Sequence, residues 1–332
     1  MRIIDITTAS NILLKSGIIA FPTETVYGLG AMANNQIAIS KVFKAKNRPK
    51  DNPLICHFNS VEQIKSFGIA LNRVEQILFD QLSPGPLCLL LDLPNNSPLS
   101  VATGNRSKIA CRIPNHTAAL DLITKVKYPI AAPSANTSTR PSCTTANMVL
   151  ADLGNKIDGV IDGEIPKIGI ESTIIEVGNV SIKILRPGSI GKSEILNILS
   201  KYSIQIKIQG ENTTPNKQTV VPGSKYPHYS PKTTIIQTTS IKKIIMSPGI
   251  AVIASKEKLS EYEAQLKPNK DIYFYSLGSK KELTKVSQFL YKNLSELDSI
   301  GFHKAYLLIE NWGETSLGLA IANRLSKVGK NN

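Results

Sequence analysis

The amino-acid sequence predicts an α/β protein in which a mixed sheet with flanking helices precedes a smaller doubly wound domain. Short apolar runs bounded by glycine and proline alternate with stretches whose apolar residues recur at helical spacing. Residues 209–234 are polar and contain four prolines and two glycines, and strand–helix alternation resumes beyond them. With 332 residues, the chain is long enough for two domains.

The elements of the first part follow from apolar spacing and proline positions. The apolar run 18–21 predicts a buried strand, which Pro22 ends. Residues 36–46 have helical spacing, and that helix should stop before Pro49, because the residue before a proline avoids helical backbone angles. Further strands are predicted within 52–58, 83–93, 108–116, 128–145, 157–164, 171–178 and 180–190. Further helices are predicted at 60–69, 70–82, 116–126 and 191–202.

The polar segment 209–234 is long for a loop inside a compact domain, so we interpret it as a linker. Beyond it, buried strands are predicted within 250–255, 271–278 and 304–310, and helices within 279–297 and 316–329. This alternation is typical of a small doubly wound domain.

The net charge of +14 is concentrated in the second part of the chain. Residues 1–200 carry 20 Lys and Arg against 15 Asp and Glu, whereas residues 201–332 carry 19 against 10. This excess favours anionic partners such as nucleotides, RNA or acidic proteins, and a general bias towards lysine is the alternative explanation.

Composition argues against several classes of protein. No apolar run reaches the roughly 18 residues of a membrane span, and the N-terminus lacks a signal peptide's apolar core, so we expect a cytoplasmic protein without membrane contact. The four cysteines and four histidines lack the spacing of metal ligands. We therefore expect reduced, partly buried thiols and no metal site built by the protein.

Two motifs near the N-terminus contain groups that suit a ligand. FPTETVYGLG (21–30) places hydroxyls and an acid directly after the first strand, where α/β sheets bind ligands; a polar turn is the alternative. Its glycines, Gly28 and Gly30, allow tight backbone geometry. KAKNRPKDNP (44–53) could be a solvated loop, a nucleic-acid clamp or a pocket for a small anion, since lysine and arginine suit phosphate oxygens. Its cations are Lys44, Lys46, Arg48 and Lys50.

Three later motifs add hydroxyl groups and further arginines. APSANTSTRPS (132–142) is dense in small hydroxyl-bearing residues, and the amides of such a loop can bind an anion. It is not a P-loop, and the absence of GxGxxG and GxSxG argues against a dinucleotide fold in the first half and against a hydrolase. GIESTIIEV (169–177) and ILRPGSI (184–190) add a Ser-Thr pair and an arginine. Taken alone, the hydroxyl-rich motif would be read as a surface loop.

The order of these motifs, with CRIPNH (111–116) and VPGSKYPHYSP (221–231), resembles the long, two-domain form of the threonylcarbamoyl-AMP synthases over nearly the whole chain. The resemblance implies a YrdC-like catalytic domain with a twisted mixed sheet at 1–205, a linker at 206–234 that covers the nucleotide site, and a Rossmann-like domain at 235–332.

The implied activity is the synthesis of L-threonylcarbamoyl-adenylate from L-threonine, bicarbonate and ATP, with release of pyrophosphate. Mg²⁺ is the implied cofactor and accompanies ATP. A downstream threonylcarbamoyl transferase complex would then modify tRNAs that read ANN codons, and tRNA itself is a candidate partner.

The resemblance also implies roles for individual residues. The family pattern K-x-R with a later S-x-N appears as Lys46, Arg48, Ser134 and Asn136, which we expect to act in catalysis, the first two at an open pocket. The residues expected to bind L-threonine are Thr25, His57, Arg112, Ala132 and Ser172, with the Arg112 fork on the carboxylate. Those expected to bind ATP are Arg48, Asn52, Lys108, Ser134, Ser142, Arg186, Tyr226, His228 and Tyr229.

Two positions depart from the family pattern. Lys108 stands where the family usually has threonine, so a contact with ATP at this position would have to come from the backbone. Pro227 stands where a basic residue is common.

Two other functions compete with the synthase. A non-catalytic RNA-binding protein would use the basic face as a phosphate track, but aromatic residues make up only 6% of the chain and no patch interleaves them with cations. A carbamoyl-phosphate-dependent enzyme is the second, because domains of this fold occur in hydrogenase-maturation enzymes, whose zinc-finger and acylphosphatase segments this sequence lacks.

Overall fold

Two sheets organise the chain in the computed structural model, which describes residues 2–210, 221, 228–240, 244, 249–266 and 272–329. The strands of the larger sheet are β1 (Ile19–Phe21), β2 (Gly28–Met32), β3 (Ile55–His57), β4 (Leu87–Asp92), β5 (Lys108–Arg112), β6 (Ile130–Ala132), β7 (Gly159–Val160), β8 (Thr173–Val177), β9 (Ser181–Arg186) and β10 (Lys207–Gln209). The helices of this part are α1 (Ile6–Leu14), α2 (Gln36–Lys46), α3 (Val61–Ser66), α4 (Arg73–Leu82), α5 (Ser100–Thr103), α6 (Thr117–Val126), α7 (Ala146–Leu153) and α8 (Lys192–Lys201).

The larger sheet is mixed, as predicted. Its strand order is β10-β9-β8-β4-β5-β3-β6-β2-β1-β7. Parallel pairs such as β3–β5 and β4–β8 alternate with antiparallel pairs such as β4–β5 and β3–β6. This order places the ends of β3, β5 and β6 side by side in the middle of the sheet, with His57 opposite Arg112 on one side and Ile130 on the other.

The smaller sheet is entirely parallel, with the order β11-β14-β12-β13. Its strands are β11 (Thr234–Thr238), β12 (Ile250–Ala254), β13 (Ile272–Ser276) and β14 (Lys304–Leu308), and its helices are α9 (Lys256–Leu266), α10 (Leu283–Ile300) and α11 (Ser316–Leu325). All five residues of β12 are buried, and alternate ones face two different apolar cores. A sheet covered on both faces confirms the predicted doubly wound fold.

The glycines at the end of FPTETVYGLG were expected to allow tight backbone geometry, and in the structure they lie in a strand. Gly28 and Gly30 lie in β2, which pairs antiparallel with β1. A Cβ at Gly30 would lie 2.8 Å from the Phe21 ring and 2.8 Å from the Ile130 side chain. The glycine is therefore required by close packing in the sheet and not by turn geometry.

Helix α2 matches the predicted range 36–46. The Asn35 side chain caps its N-terminus by accepting from the Ala38 N–H at 3.0 Å. At the other end Asn47 adopts the left-handed conformation with φ 50°, which asparagine tolerates better than most residues, and the chain turns back there. As expected, the basic stretch begins on the last helical turn and continues into a loop.

Strand β10 lies within the predicted linker 206–234 and pairs with β9. The larger sheet therefore extends a few residues into that segment. All four cysteines are buried and free of disulfides.

Candidate active site

A pocket lies where the ends of β1, β3, β5 and β6 meet the hydroxyl-rich loop after β6. Residues from the loop before β8, from β9 and from the described segment that begins at residue 228 also line it. The predicted site residues that line it are Thr25, Arg48, His57, Arg112, Ala132, Ser134, Asn136, Ser142, Arg186, His228 and Tyr229.

The other predicted residues do not line this pocket. Lys46, Asn52 and Ser172 are buried beside or behind its wall. Lys108 lies elsewhere on the sheet, and Tyr226 lies outside the described residues. The structure thus gathers most of the predicted site, and the binding roles of these residues stay predictions.

Lys46 is not at the open pocket, contrary to expectation. Its side chain is only 1% exposed, and its ammonium donates to the carbonyl oxygens of Ser134, at 2.5 Å, and of Asn136. Burial, with the nearby Arg48 guanidinium, lowers the pKa of Lys46 to about 7. Lys46 therefore stabilises the loop that carries two predicted catalytic residues, from behind.

Arg48 does line the pocket, and its backbone neighbours position it. Its guanidinium donates to the carbonyl oxygens of Asn52 at 3.1 Å and Pro53 at 2.9 Å. The prolines of the basic stretch thus shape a loop around an inward-facing arginine. Since Lys44 and Lys50 are exposed, only half of the cations of this stretch point into solvent.

Arg112 is buried at the end of β5, close to His57 and Glu24. Its Nη2 lies 2.8 Å from a Glu24 carboxylate oxygen, and its Nε donates to the Gly85 carbonyl at 3.4 Å. Burial, reinforced by the Arg112 charge, lowers the pKa of His57 to about 3, so this imidazole is neutral near pH 7. The result is one fixed cation beside a neutral polar ring.

Glu171 connects several predicted residues on the opposite wall. Its carboxylate accepts from the Ser142 hydroxyl at 2.7 Å and the Tyr229 hydroxyl at 3.2 Å. Burial would raise the pKa of this carboxyl, but the Arg324 and Arg186 guanidinium groups hold it below its ordinary value. Glu171 is therefore an anion fixed in the wall.

Ser172 contacts a neighbouring arginine. Its hydroxyl accepts from Arg186 Nη2 at 3.0 Å, and its carbonyl accepts from Arg186 Nε at 3.0 Å. Ser172 is fully buried. Its observed role is to orient Arg186, which does line the pocket.

Tyr229 comes from the segment predicted as a lid. It has φ 67°, an unusual value for an aromatic residue, and its ring stacks on Tyr291 with centroids 5.0 Å apart. His228 precedes it and is largely buried, which lowers the pKa of its imidazole to about 3. This part of the predicted lid thus packs against the pocket.

Lys108 directs its side chain away from the pocket. Its ammonium lies 2.6 Å from Asp92 and 3.3 Å from Glu176, so the side chain forms ion pairs away from the pocket. It begins β5, whereas Arg112 at the other end of that strand lines the pocket. The Lys108 side chain is therefore engaged elsewhere, and a contact between the Lys108 backbone and ATP stays a prediction.

Sequence reasoning missed four polar residues in the pocket: Thr23, Tyr27, Arg140 and Glu171. Each lies inside a quoted motif, next to or near a predicted residue. A charged residue such as Glu171, two positions before the apolar strand β8, is a signal that could have been used. Its contact with Arg324, 153 positions along the chain, has no such signal.

Several pocket residues have a buried polar atom without a hydrogen-bond partner among the described residues. Proteins pair the great majority of such atoms, so their concentration here indicates a ligand site. The ion pair of Arg112 with Glu24 has a short distance but lacks hydrogen-bond geometry. The atoms are His57 Nδ1, Arg112 Nη2, Asn136 Oδ1, Arg140 Nη1 and His228 Nε2.

Fold and pocket together define a two-domain α/β protein whose site is suited to anionic ligands. The family model described as "Telomere recombination", for Sua5, YciO and YrdC proteins, matches residues 11–188. The model described as "Threonylcarbamoyl-AMP synthase, C-terminal domain" matches residues 190–328. The chain belongs to the threonylcarbamoyl-AMP synthase family in its two-domain form.

Relatives match over the full length. The threonylcarbamoyl-AMP synthase of Bacillus subtilis is 34% identical, with 97% of this chain and 92% of the relative covered. That of Pyrococcus abyssi is 36% identical, with 97% and 93% covered. The crystal structure of P. abyssi Sua5 in complex with L-threonine superposes with a TM-score of 0.81 at 31% identity, covering 99% of this chain and 97% of that one.

Within the described part of the chain, the helices are too short or too polar to cross a membrane.

Proposed function

We propose that this protein synthesises L-threonylcarbamoyl-adenylate from L-threonine, bicarbonate and ATP and releases pyrophosphate. Family membership over the whole chain and the names of the relatives support this activity. The observation that carries the proposal is the pocket itself, which brings residues of seven separate motifs together around unpaired polar atoms. The product would serve a transferase that modifies tRNAs reading ANN codons, in the cytoplasm, where ATP and tRNA meet.

L-Threonine would bind on the side of β3, β5 and β6. Arg112 offers a fork that can bind the threonine carboxylate at two oxygens. His57, neutral and with Nδ1 unpaired, and Thr25 could bind polar groups of the amino acid. The P. abyssi relative has been solved with L-threonine, and its fold matches this one closely.

ATP would bind on the opposite side. Arg48 and Arg186 supply two guanidinium groups, and Ser134 and Ser142 supply hydroxyls. His228 and Tyr229 would close this side as part of the lid. Lys46 would act through the Ser134–Asn136 loop, which its ammonium contacts.

The chemistry requires no covalent bond to the protein. The threonine amine and bicarbonate combine with loss of water to give N-carboxy-threonine. One carboxylate oxygen then forms a bond to the α-phosphorus of ATP, the bond to the bridging oxygen breaks, and pyrophosphate leaves with the electron pair. Fixed cations placed where this charge develops would supply most of the rate acceleration.

Mg²⁺ would enter as the complex with ATP, where it neutralises charge on the phosphates. The described residues contain no group of three His, Cys, Asp or Glu side chains that could hold a metal ion. Glu171, the carboxylate that lines the pocket, is already bound to Ser142, Tyr291 and Arg324. Glu171 is therefore engaged within the protein, and Mg²⁺ would be held mainly by the phosphates of ATP.

Pyrophosphate release tests this function. ATP and Mg²⁺ would be supplied with L-threonine alone, with bicarbonate alone and with both. Release that requires both substrates supports the synthase. Absence of release in every combination, from a folded protein that binds RNA, would instead support the non-catalytic RNA-binding function.

A further inference from the structure

Arg140 lies in the pocket and is absent from the residues that the family pattern suggested. It belongs to the loop that carries Ser134 and Ser142, and it faces the same pocket as Arg48 and Arg186. Its backbone is fixed, because the Asn136 amide donates to the Arg140 carbonyl at 3.0 Å. The pocket therefore contains a third arginine on its nucleotide side.

The two terminal nitrogens of Arg140 have different environments. Nη2 donates to the Asp298 carboxylate at 2.5 Å. Nη1 is buried and has no hydrogen-bond partner among the residues that the structure describes. An unpaired nitrogen of a guanidinium group is costly to bury, so this atom is suited to receive an anionic ligand.

Asp298 anchors Arg140 from the C-terminal domain. It lies on α10, 158 positions along the chain from Arg140. Its other carboxylate oxygen accepts from the Thr233 backbone N–H at 2.9 Å, which fixes the carboxylate in place. The anchor leaves Nη1 as the nitrogen available to the pocket.

We propose that Arg140 is a further binding residue for the phosphate groups of ATP, and that Asp298 of the C-terminal domain positions it. The proposal rests on the function proposed above. A triphosphate carries several charges, whereas the threonine carboxylate carries one and already has Arg112 on the other side of the pocket. Arg140 shares a loop with the hydroxyls expected to bind ATP, which favours the phosphates.

The first test compares kinetic constants of Arg140→Gln and Arg140→Lys with those of the wild type in the pyrophosphate assay. We expect the KM for ATP to rise about 10- to 100-fold in Arg140→Gln, because a charge-assisted hydrogen bond is lost. The rise should be smaller in Arg140→Lys, which keeps the charge, and the KM for threonine should change less than about threefold. Lys280→Gln is the control, since it removes a cation from an ion pair with Glu310 inside the C-terminal domain.

The second test concerns Asp298. Asp298→Asn should raise the KM for ATP in the wild-type background and add little in the Arg140→Gln background, because it acts through Arg140. If Asp298→Asn raises the KM for ATP by the same factor in both backgrounds, Asp298 has only a structural role, and its part of the proposal is overturned.

The outcomes separate this inference from the proposed function. A wild-type protein that releases no pyrophosphate contradicts the function. A wild-type protein that does, with an unchanged KM for ATP in both Arg140 variants, overturns the inference alone. If only the KM for threonine rises, Arg140 binds the threonine carboxylate, and the inference about ATP is again overturned. If Arg140→Gln fails to fold, judged by its melting temperature, Arg140→Lys and Asp298→Asn decide the question.

Discussion

Arg112 lies at the end of β5, where its guanidinium group is buried between the Glu24 carboxylate and the Gly85 carbonyl. At the scale of single residues, Arg112 tests the proposed division of the pocket between L-threonine and ATP. Arg112→Ala should raise the KM for threonine about 10- to 100-fold, since the carboxylate loses its charged partner, with the KM for ATP less affected.

Steady-state kinetics with each substrate varied in turn would check this prediction. Arg112→Lys is the matched variant, because it keeps the charge and removes the fork, and it should lie between the wild type and Arg112→Ala. A loss confined to ATP affinity in Arg112→Ala would contradict the division of the pocket.

Lys46 gives a prediction about pH. Its pKa is about 7 in the folded protein, against 10.5 as the ordinary value, so between these values the unfolded chain holds a proton that the folded chain has released. The charged form is disfavoured by burial, so the penalty of burying Lys46 is full below pH 7 and decreases as the pH rises towards 10.5. The free energy of unfolding of the wild type, relative to Lys46→Met, should therefore rise by about 2 kcal/mol from pH 7 to pH 9.

Denaturant unfolding of both proteins at several pH values would measure that difference. Lys46→Met also removes the donor to Ser134 and Asn136, so the test depends on how the difference between the two proteins changes with pH and not on its size at one pH. Parallel pH dependences for the two proteins would show that Lys46 does not titrate in this range.

At the scale of elements, the loop from Asn136 to Ser142 stores strain. Thr139 has φ 74°, a left-handed conformation that costs a β-branched residue about 1–2 kcal/mol. The surroundings fix it, because the Ser230 N–H donates to the Thr139 carbonyl at 2.8 Å. This loop, which lines the pocket, is thus stabilised by contacts from outside it.

Thr139→Gly should raise the free energy of unfolding by up to about 1 kcal/mol, since the relief of strain exceeds the entropy cost of glycine. Activity should be retained, because Thr139 does not line the pocket. Thr137→Gly is the matched control two positions away, where φ is negative, and it should destabilise the protein. Melting temperatures of both variants check the prediction, and destabilisation of similar size in both would contradict it.

At the scale of the whole molecule, the two domains meet at the pocket wall. Glu171 accepts from the Tyr291 hydroxyl at 2.7 Å and from Arg324 Nε at 2.8 Å, both in the C-terminal domain. Arg324 is fully buried and also donates to the Pro187 carbonyl at 2.7 Å. Val26 and Ile170 of the larger domain belong to the same apolar core as α10 and α11. Docking of the C-terminal domain is therefore part of the pocket's structure.

Tyr291→Phe should lower kcat/KM for ATP several-fold, because Glu171 loses a donor and orients Ser142 and Tyr229 less firmly. Tyr275→Phe is the matched control, since its hydroxyl donates to Glu296 at the same 2.7 Å within the C-terminal domain and away from the pocket. Both variants should lose stability, measured by melting temperature. Equal kinetic constants for the two variants would show that the contact with Glu171 is structural only.

Much of the fold was predictable because it depends on local spacing. Helix α2 and strand β1 were predicted close to their observed bounds from apolar periodicity and the positions of Pro22 and Pro49. Strand β2 was not, because its glycines have low strand propensity, and the need for them arises from the Phe21 ring on the neighbouring strand.

The sequence by itself determined the family, through the order of its motifs, and most of the residues that line the pocket. The tertiary structure alone decided which way charged side chains face: Lys46 into the protein, Arg48 into the pocket, Lys108 towards Asp92 and Glu176. It also decided the contacts of Glu171 with Arg324 and of Arg140 with Asp298, each joining residues more than 150 positions apart. Burial and pairing of a charge depend on neighbours that folding brings from distant parts of the chain, and no local pattern encodes them.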